Sequence, residues 1–168
     1  MSKSSHKKHS YGGSGKDQKK KSKETELFDQ TLNIIVYRGD PVDVQSTRHT
    51  AFFIEYADGS NLITHAVGAH GFFEHAEKWN TQPTESRNFE RLIPIITMRT
   101  REERDLTVRE ILYNVPVNNE ERSWNCQSWI GDGLRALSGL ISAEIATNAA
   151  DQMATVLLEA PDEDTWEE

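Results

Sequence analysis

The chain holds a single cysteine, Cys126, among 168 residues. One thiol excludes an internal disulfide framework and any zinc site built from several thiolates. Long apolar runs are missing too. No stretch approaches the roughly 18 apolar residues that begin to look like a membrane span, and the polar N-terminus lacks the apolar core of a secretion signal. Positive charge is scarce outside the first 26 residues. Those 26 carry eight Lys, no Arg and three acids, for a net +5, whereas the remainder nets −13. An acidic body argues against broad capture of nucleic acid, because phosphates need a basic face. Together with a mean hydropathy of −0.69, these absences lead us to expect a soluble intracellular protein, cytoplasmic or nuclear, with one free thiol and no transmembrane segment.

What is present divides into three parts. The Lys/Ser/Gly-rich stretch 1–28 has almost nothing to bury, so a disordered tail is expected. Its Lys19-Lys20-Lys21 run reads as a solvated, solubilising face, with a nuclear address or a contact to an anionic surface as the alternatives. Residues 159–168 form an acidic tail. Either tail could meet a protein partner. Between them, residues 29–158 have the size of one domain.

The domain opens with strands. Leu32 to Tyr37 is rich in β-branched residues and runs into the turn chemistry of Gly39-Asp40-Pro41. His49 to Tyr56 and Asn61 to Val67 read as a hairpin marked by Asp58-Gly59. A short helix is expected around Phe72 to Trp79. A fourth strand, Leu92 to Met98, carries Pro94, which demotes it to an edge or a bulge. The pattern then turns helical. Thr100 and Glu103 have capping-box spacing, and Leu106, Ile111, Leu112 and Val115 could supply an apolar stripe ending before Pro116. Trp129, Ile130, Leu134, Leu137 and Ile141 recur at helical spacing after Asn125-Cys126. Gly131 and Gly133 each weaken that helix by about 1 kcal/mol relative to Ala, tolerable where the backbone packs closely on a sheet. Met153 to Leu158 stays ambiguous. Strands first and helices later predict an α+β fold, an antiparallel sheet packed against helices.

Cys126 is the most informative residue. It follows Asn125, a good N-cap, at the start of a helix. The helix dipole and free N–H groups there would stabilise a thiolate and lower the thiol pKa, and the same groups could steady an oxyanion. The missing part is a base, for which His49 and His65 are the candidates. Strand alternation makes their cooperation depend on register. A two-residue turn at Asp58-Gly59 places them on opposite faces. A three-residue loop, Ala57-Asp58-Gly59, puts Gly in the left-handed position, pairs Tyr56 with Ser60, and makes the two histidines diagonal neighbours on one face. The second register is preferred.

A strand opening on His, a return strand with His, then a distant Asn-Cys opening a helix resembles the circularly permuted papain-like cysteine enzymes. The lecithin:retinol acyltransferase-like group runs His-x-hydrophobic strand, turn, strand ending in His, then Asn-Cys-Glu-His-Phe. This chain has His49-Thr50-Ala51-Phe52-Phe53, then Ile63-Thr64-His65, then Asn125-Cys126-Gln127-Ser128-Trp129. The PPPDE-type peptidases are similar, with His before Cys and an Asn-Cys-Asn-His-Phe signature. The resemblance implies a permuted papain-like fold and a cofactor-free thiol hydrolase or acyltransferase. Cys126 would be nucleophile, His49 general base and His65 the residue that orients it. The substrate would be an acyl, amide or isopeptide group. Gln127, Ser128 and Trp129 depart from the group's letters, and its hydrophobic anchor is missing, which points away from a lipid substrate.

Blander readings stand beside this one. Cys126 could be a small buried hydrophobe, and the same fold could serve as a catalytically inactive interaction module. His65, His70 and His75 recur every five residues, a spacing that matches no standard metal-ligand pattern. Trp79, Trp124 and Trp129 read as core anchors, and Asp132 or Glu55 could orient a histidine in place of His65.

Overall fold

A run such as Ile34-Ile35-Val36 has no polar side to leave in water, so its strand must be covered on both faces. That strand is β1 (Phe28–Tyr37). A computed structural model describes Gly12 and residues 23–162. The greater part of the two expected tails lies outside the described residues. After β1 come β2 (His49–Glu55), β3 (Asn61–Val67), β4 (Glu74–Trp79) and β5 (Phe89–Thr100), then α1 (Thr107–Tyr113), α2 (Cys126–Ala136) and α3 (Ala143–Leu158). The strands form one antiparallel sheet in the order β4-β3-β2-β1-β5. The first four make a meander, and β5 returns along the free side of β1. This is the expected α+β architecture.

The helices share one face of the sheet. Leu32, Ile34 and Val36 of β1, Phe52 and Ile54 of β2, and Leu62 and Ala66 of β3 pack there with Leu112, Trp129, Ile130, Val156 and Leu157. The opposite face carries a smaller apolar cluster, Ile35, Ala51, Phe53 and Ile63, with His49 and His65 in the same alternating rows. The β2–β3 hairpin takes the three-residue loop. The Tyr56 N–H donates to the Ser60 carbonyl at 2.9 Å, Phe52 pairs with Thr64, and Gly59 sits at φ +86°, where a side chain would be strained. Pro94 lies on the edge strand β5 at a register shift, where Ile96 faces Leu32 and Pro94 faces Asn33. A bulge there spares the ladder a donor that proline lacks.

Two elements differ from expectation, and a third is one that the sequence leaves ambiguous. The segment expected as a short helix near Phe72 to Trp79 contains β4 instead. Its sequence, Glu-His-Ala-Glu-Lys-Trp, has little apolar alternation because an edge strand is half exposed on both faces, and the open hydrogen-bonding edge of β3 decides its conformation. Thr100 caps no helix. It closes β5 opposite Phe28, and its hydroxyl donates to the Phe28 and Glu102 carbonyls, while α1 starts at Thr107, whose N–H is taken by the Asp105 carboxylate. Met153 to Leu158 is the second half of α3. Ser142 caps that helix, and it packs through Ala149, Met153, Val156 and Leu157.

α2 lies unusually close to β2, and the two glycines divide on this point. A Cβ on Gly133 would come within 2.5 Å of the Phe52 ring and 3.0 Å of Leu112, both in the core. A Cβ on Gly131 would meet only the flexible end of Arg135 at 3.7 Å. Gly133→Ala is therefore expected to destabilise the domain by about 1–3 kcal/mol through overpacking. Gly131→Ala should stabilise it by up to about 1 kcal/mol through helix propensity. Urea unfolding of the two variants checks the opposite signs; equal shifts would mean that α2 does not rest on Phe52.

Candidate active site

The start of α2 is built by its own first turn. The Asn125 side chain accepts from the N–H groups of Gln127 at 2.9 Å and Ser128 at 3.2 Å, and the Ser128 hydroxyl accepts from the Asn125 N–H at 3.2 Å. This reciprocal cap holds Cys126 as the first helical residue. It also occupies two of the N–H groups that an oxyanion would otherwise use, leaving that of Cys126 itself. Gln127 is a fastener: its side-chain amide donates to the carbonyls of Gln45 at 2.9 Å and Arg48 at 3.1 Å. Ser128 and Gln127, the letters that depart from the acyltransferase pattern, thus both have structural work at the helix start.

The sulfur comes to rest against β2. Sγ points at the Arg48 carbonyl, 3.9 Å away, and the backbone N–H and hydroxyl of Thr50, two residues further along the chain, face it too. Arg48 and Thr50 are the two neighbours of His49. Cross-strand pairing of β2 with β3 has ended here, its last pair being Phe52 with Thr64, so the strand edge beside His49 is open to the thiol. The thiol pKa is raised, not lowered as the helix start suggested. Burial is the largest cause and outweighs the N–H groups of Thr50, Gln127 and Cys126.

The histidines meet on the other face. His49 Nε2 and His65 Nδ1 are 2.7 Å apart, a full hydrogen bond whose donor depends on the tautomer. Tyr37, the cross-strand partner of His49, stacks on its ring at 6.0 Å and 21°. Burial lowers the His49 pKa below the ordinary imidazole range. That of His65 is pushed down to about 4, first by burial and then by the positive charges of His49, His75 and Lys78. Both rings are therefore neutral at neutral pH. They line a 650 Å³ cleft with Tyr37, Lys78, Thr81 and Pro83. Among the described residues no hydrogen bond joins the sulfur to either imidazole. The thiol meets the backbone on either side of His49, and the two rings line the cleft, to which Cys126 does not contribute.

The remaining candidates sit elsewhere. His75 lies on the helix-covered face, 2.7 Å from the Thr64 hydroxyl and tilted against Trp129, and the His70 ring stands edge-on to Phe73. His65 and His75 occupy opposite faces and cannot share an ion; among the described residues no group of three His, Cys, Asp or Glu could hold a metal. Asp132 accepts from the Trp124 indole and from Arg135, and Glu55 from Thr31, so neither orients a histidine. Trp124 and Trp129 are buried, whereas Trp79 is partly exposed and stacks on Tyr56. Sequence reasoning missed Tyr37, Arg48 and Thr50. The first would have needed the β1–β2 register, and the long connection over 38–48 gives no loop-length rule from which to read it.

A family model described as a family of unknown function (DUF6540) matches residues 34–140, well over half of the chain. The chain belongs to this DUF6540 family. The matched stretch of this DUF6540 protein holds His49, His65 and Cys126 together, from the middle of β1 to just past α2, and ends before α3. No curated protein and no solved structure matches the chain. No helix of the described residues is long and apolar enough to cross a membrane.

Proposed function

We propose that this DUF6540 protein is a cysteine-dependent hydrolase or acyltransferase, with the permuted papain-like order of parts and a thioester on Cys126. The observation that carries this reading is the 2.7 Å link from His49 Nε2 to His65 Nδ1, made at the point of β2 whose two flanking residues meet the sulfur. With Nε2 committed to His65, the nitrogen of His49 left for the thiol is Nδ1. The thiol and imidazole are both neutral at rest, so the proton moves as the bond forms. The reaction requires His49 Nδ1 to reach a thiol with which it shares no hydrogen bond at rest; Sγ then attacks the acyl carbon while His49 Nδ1 takes the thiol proton. The tetrahedral intermediate then collapses, the leaving group departs with that proton, and the thioester remains. Water or an amine attacks it next, again giving up its proton to His49, and Sγ leaves and takes that proton back, which restores the neutral thiol and imidazole. His65 holds the ring in the tautomer with Nδ1 unprotonated. Arg38, Asp40, Lys78 and Glu85 wall the cleft on the histidine side, whose lining does not include Cys126, so a substrate there would have to extend to the start of α2.

The test is an activated acyl ester added to the full chain, with adducts located by intact mass and peptide mapping. A single hydroxylamine-labile adduct on Cys126, absent in Cys126→Ser, is the expected result. Acylation that is no faster than that of the denatured chain would defeat the reading. A second reading, a catalytically inactive interaction module, is favoured by the raised thiol pKa and the missing sulfur–imidazole hydrogen bond. It predicts that same failure, together with partner capture unaffected by Cys126→Ser.

A further inference from the structure

Thr50 presents a puzzle that the reaction scheme does not use. It is fully buried in β2, and its hydroxyl oxygen has no hydrogen-bond partner. A buried hydroxyl left unpaired costs roughly 1–3 kcal/mol, and valine, with the same shape and an equal liking for strands, would avoid that cost. The direction of the hydroxyl follows from the packing. Thr50 alternates on the same face as Phe52, whose ring meets Gly133 and Trp129 of α2. One step back along β2 from Phe52 on that face is Thr50, and toward the start of α2 from Gly133 is Cys126. That brings Thr50 to the sulfur: its hydroxyl and N–H both face Cys126, and Sγ also lies against the carbonyl of Arg48, two residues earlier. A protonated thiol is a weak acceptor, and regular hydrogen-bond geometry is not reached at rest.

We propose that Thr50 is a positioning residue for the Cys126 sulfur, its hydroxyl donating a hydrogen bond to Sγ as thiolate character develops. This rests on the reading of Cys126 as nucleophile and extends it to a group outside the three residues named so far. No bond is made or broken at Thr50; the O–H proton stays on oxygen and only its acceptor changes. The hydroxyl would join the N–H groups of Thr50, Gln127 and Cys126 that already face the sulfur.

The experiment compares Thr50→Val, Thr50→Ser and His49→Ala in the full chain, following iodoacetamide alkylation of Cys126 across pH alongside thermal unfolding. Thr50→Val is expected to melt no lower than the parent while alkylation at neutral pH slows about tenfold or more, the worth of a hydrogen bond to a charged group. Its thiol titration should move to higher pH, and Thr50→Ser should restore both. A purely structural role would shift melting and leave the pH profile alone. If His49→Ala slows the reaction but Thr50→Val keeps the parental profile, the role of Thr50 is overturned and the nucleophile reading stands. If neither variant changes alkylation, both fall. Should valine not be accommodated, Thr50→Ala removes the hydroxyl without adding bulk and is judged by the same profile.

Discussion

Replacing His49 by alanine is expected to slow acylation of Cys126 by about 100- to 10,000-fold, the usual contribution of a positioned general base. The fold should survive, because His49 stands at the first position of β2 and its ring packs on the cleft side, away from the main core. His65 acts through His49, so its removal is expected to cost less, up to about 100-fold, the scale of a misplaced reacting group. Its distinguishing feature is rescue. His65→Asn can still offer an oxygen to the His49 Nε2–H and should recover much of the rate that His65→Ala loses. The pH profile gives an independent check. The base must be neutral to accept the thiol proton, and burial holds the His49 pKa below its ordinary 6.5. The rate should therefore stay level as pH falls through 6.5 and drop only in more acidic solution, as His49 takes up a proton. A stopped assay of acyl adduct between pH 4 and 8 reads this directly. An acid limb centred at or above 6.5, or one unchanged by His49→Ala, would remove His49 from the role of base.

The parts of this arrangement that depend on local rules could be read from the sequence. The register of the β2–β3 hairpin followed from one glycine that must sit at positive φ in a three-residue loop, and with it the shared face of His49 and His65. Asn125 announced the start of α2 because a short side chain with an acceptor is what free N–H groups need. Pro94 announced an edge with a bulge because it cannot donate to a ladder. What escaped depends on distant partners. β4 has the composition of a solvated segment and becomes a strand only because β3 offers an open edge. α3 packs partly through alanines, which carry little weight in an apolar pattern. The thiol was misjudged for a related reason. The helix start is local and argues for a lowered pKa, while the burial that raises it comes from β2, more than seventy positions earlier in the chain.

The buried Arg48–Asp43 pair is where the loss of one side chain should do most damage to the fold around this site. The Arg48 guanidinium is almost fully buried. Nε and Nη2 each donate to the Asp43 carboxylate at 2.9 Å, and Nη1 donates to the Val156 carbonyl at 2.7 Å, in the last turn of α3. The Arg48 carbonyl meanwhile receives the Gln127 amide and faces the sulfur. One residue thus ties the end of α3, the loop before β2 and the start of α2 to the backbone beside His49. Breaking a buried pair costs about 3–5 kcal/mol because a charge is left behind in a poor solvent, and the cost depends on which charge that is. Asp43 is 21% exposed against 4% for Arg48, so an orphaned carboxylate can regain water and an orphaned guanidinium cannot. Asp43→Ala is therefore expected to lose more stability than Arg48→Met, and Arg48→Lys to fall between the parent and Arg48→Met, since an ammonium keeps the charge but not the fork. The contribution should also depend on acidity with a definite sign. The Asp43 carboxyl is held below its ordinary pKa, chiefly by its hydrogen bond to Arg48. Its share of the stability is complete above the unfolded value of 3.8 and is lost as pH falls through the lower folded value. Urea unfolding of the three variants at pH 7, and of the parent in acid, measures all of this. If Asp43→Ala costs no more than the roughly 0.5 kcal/mol of an ordinary surface change, the clamp does not hold the site, and the position of the sulfur against β2 must come from the packing of α2 alone.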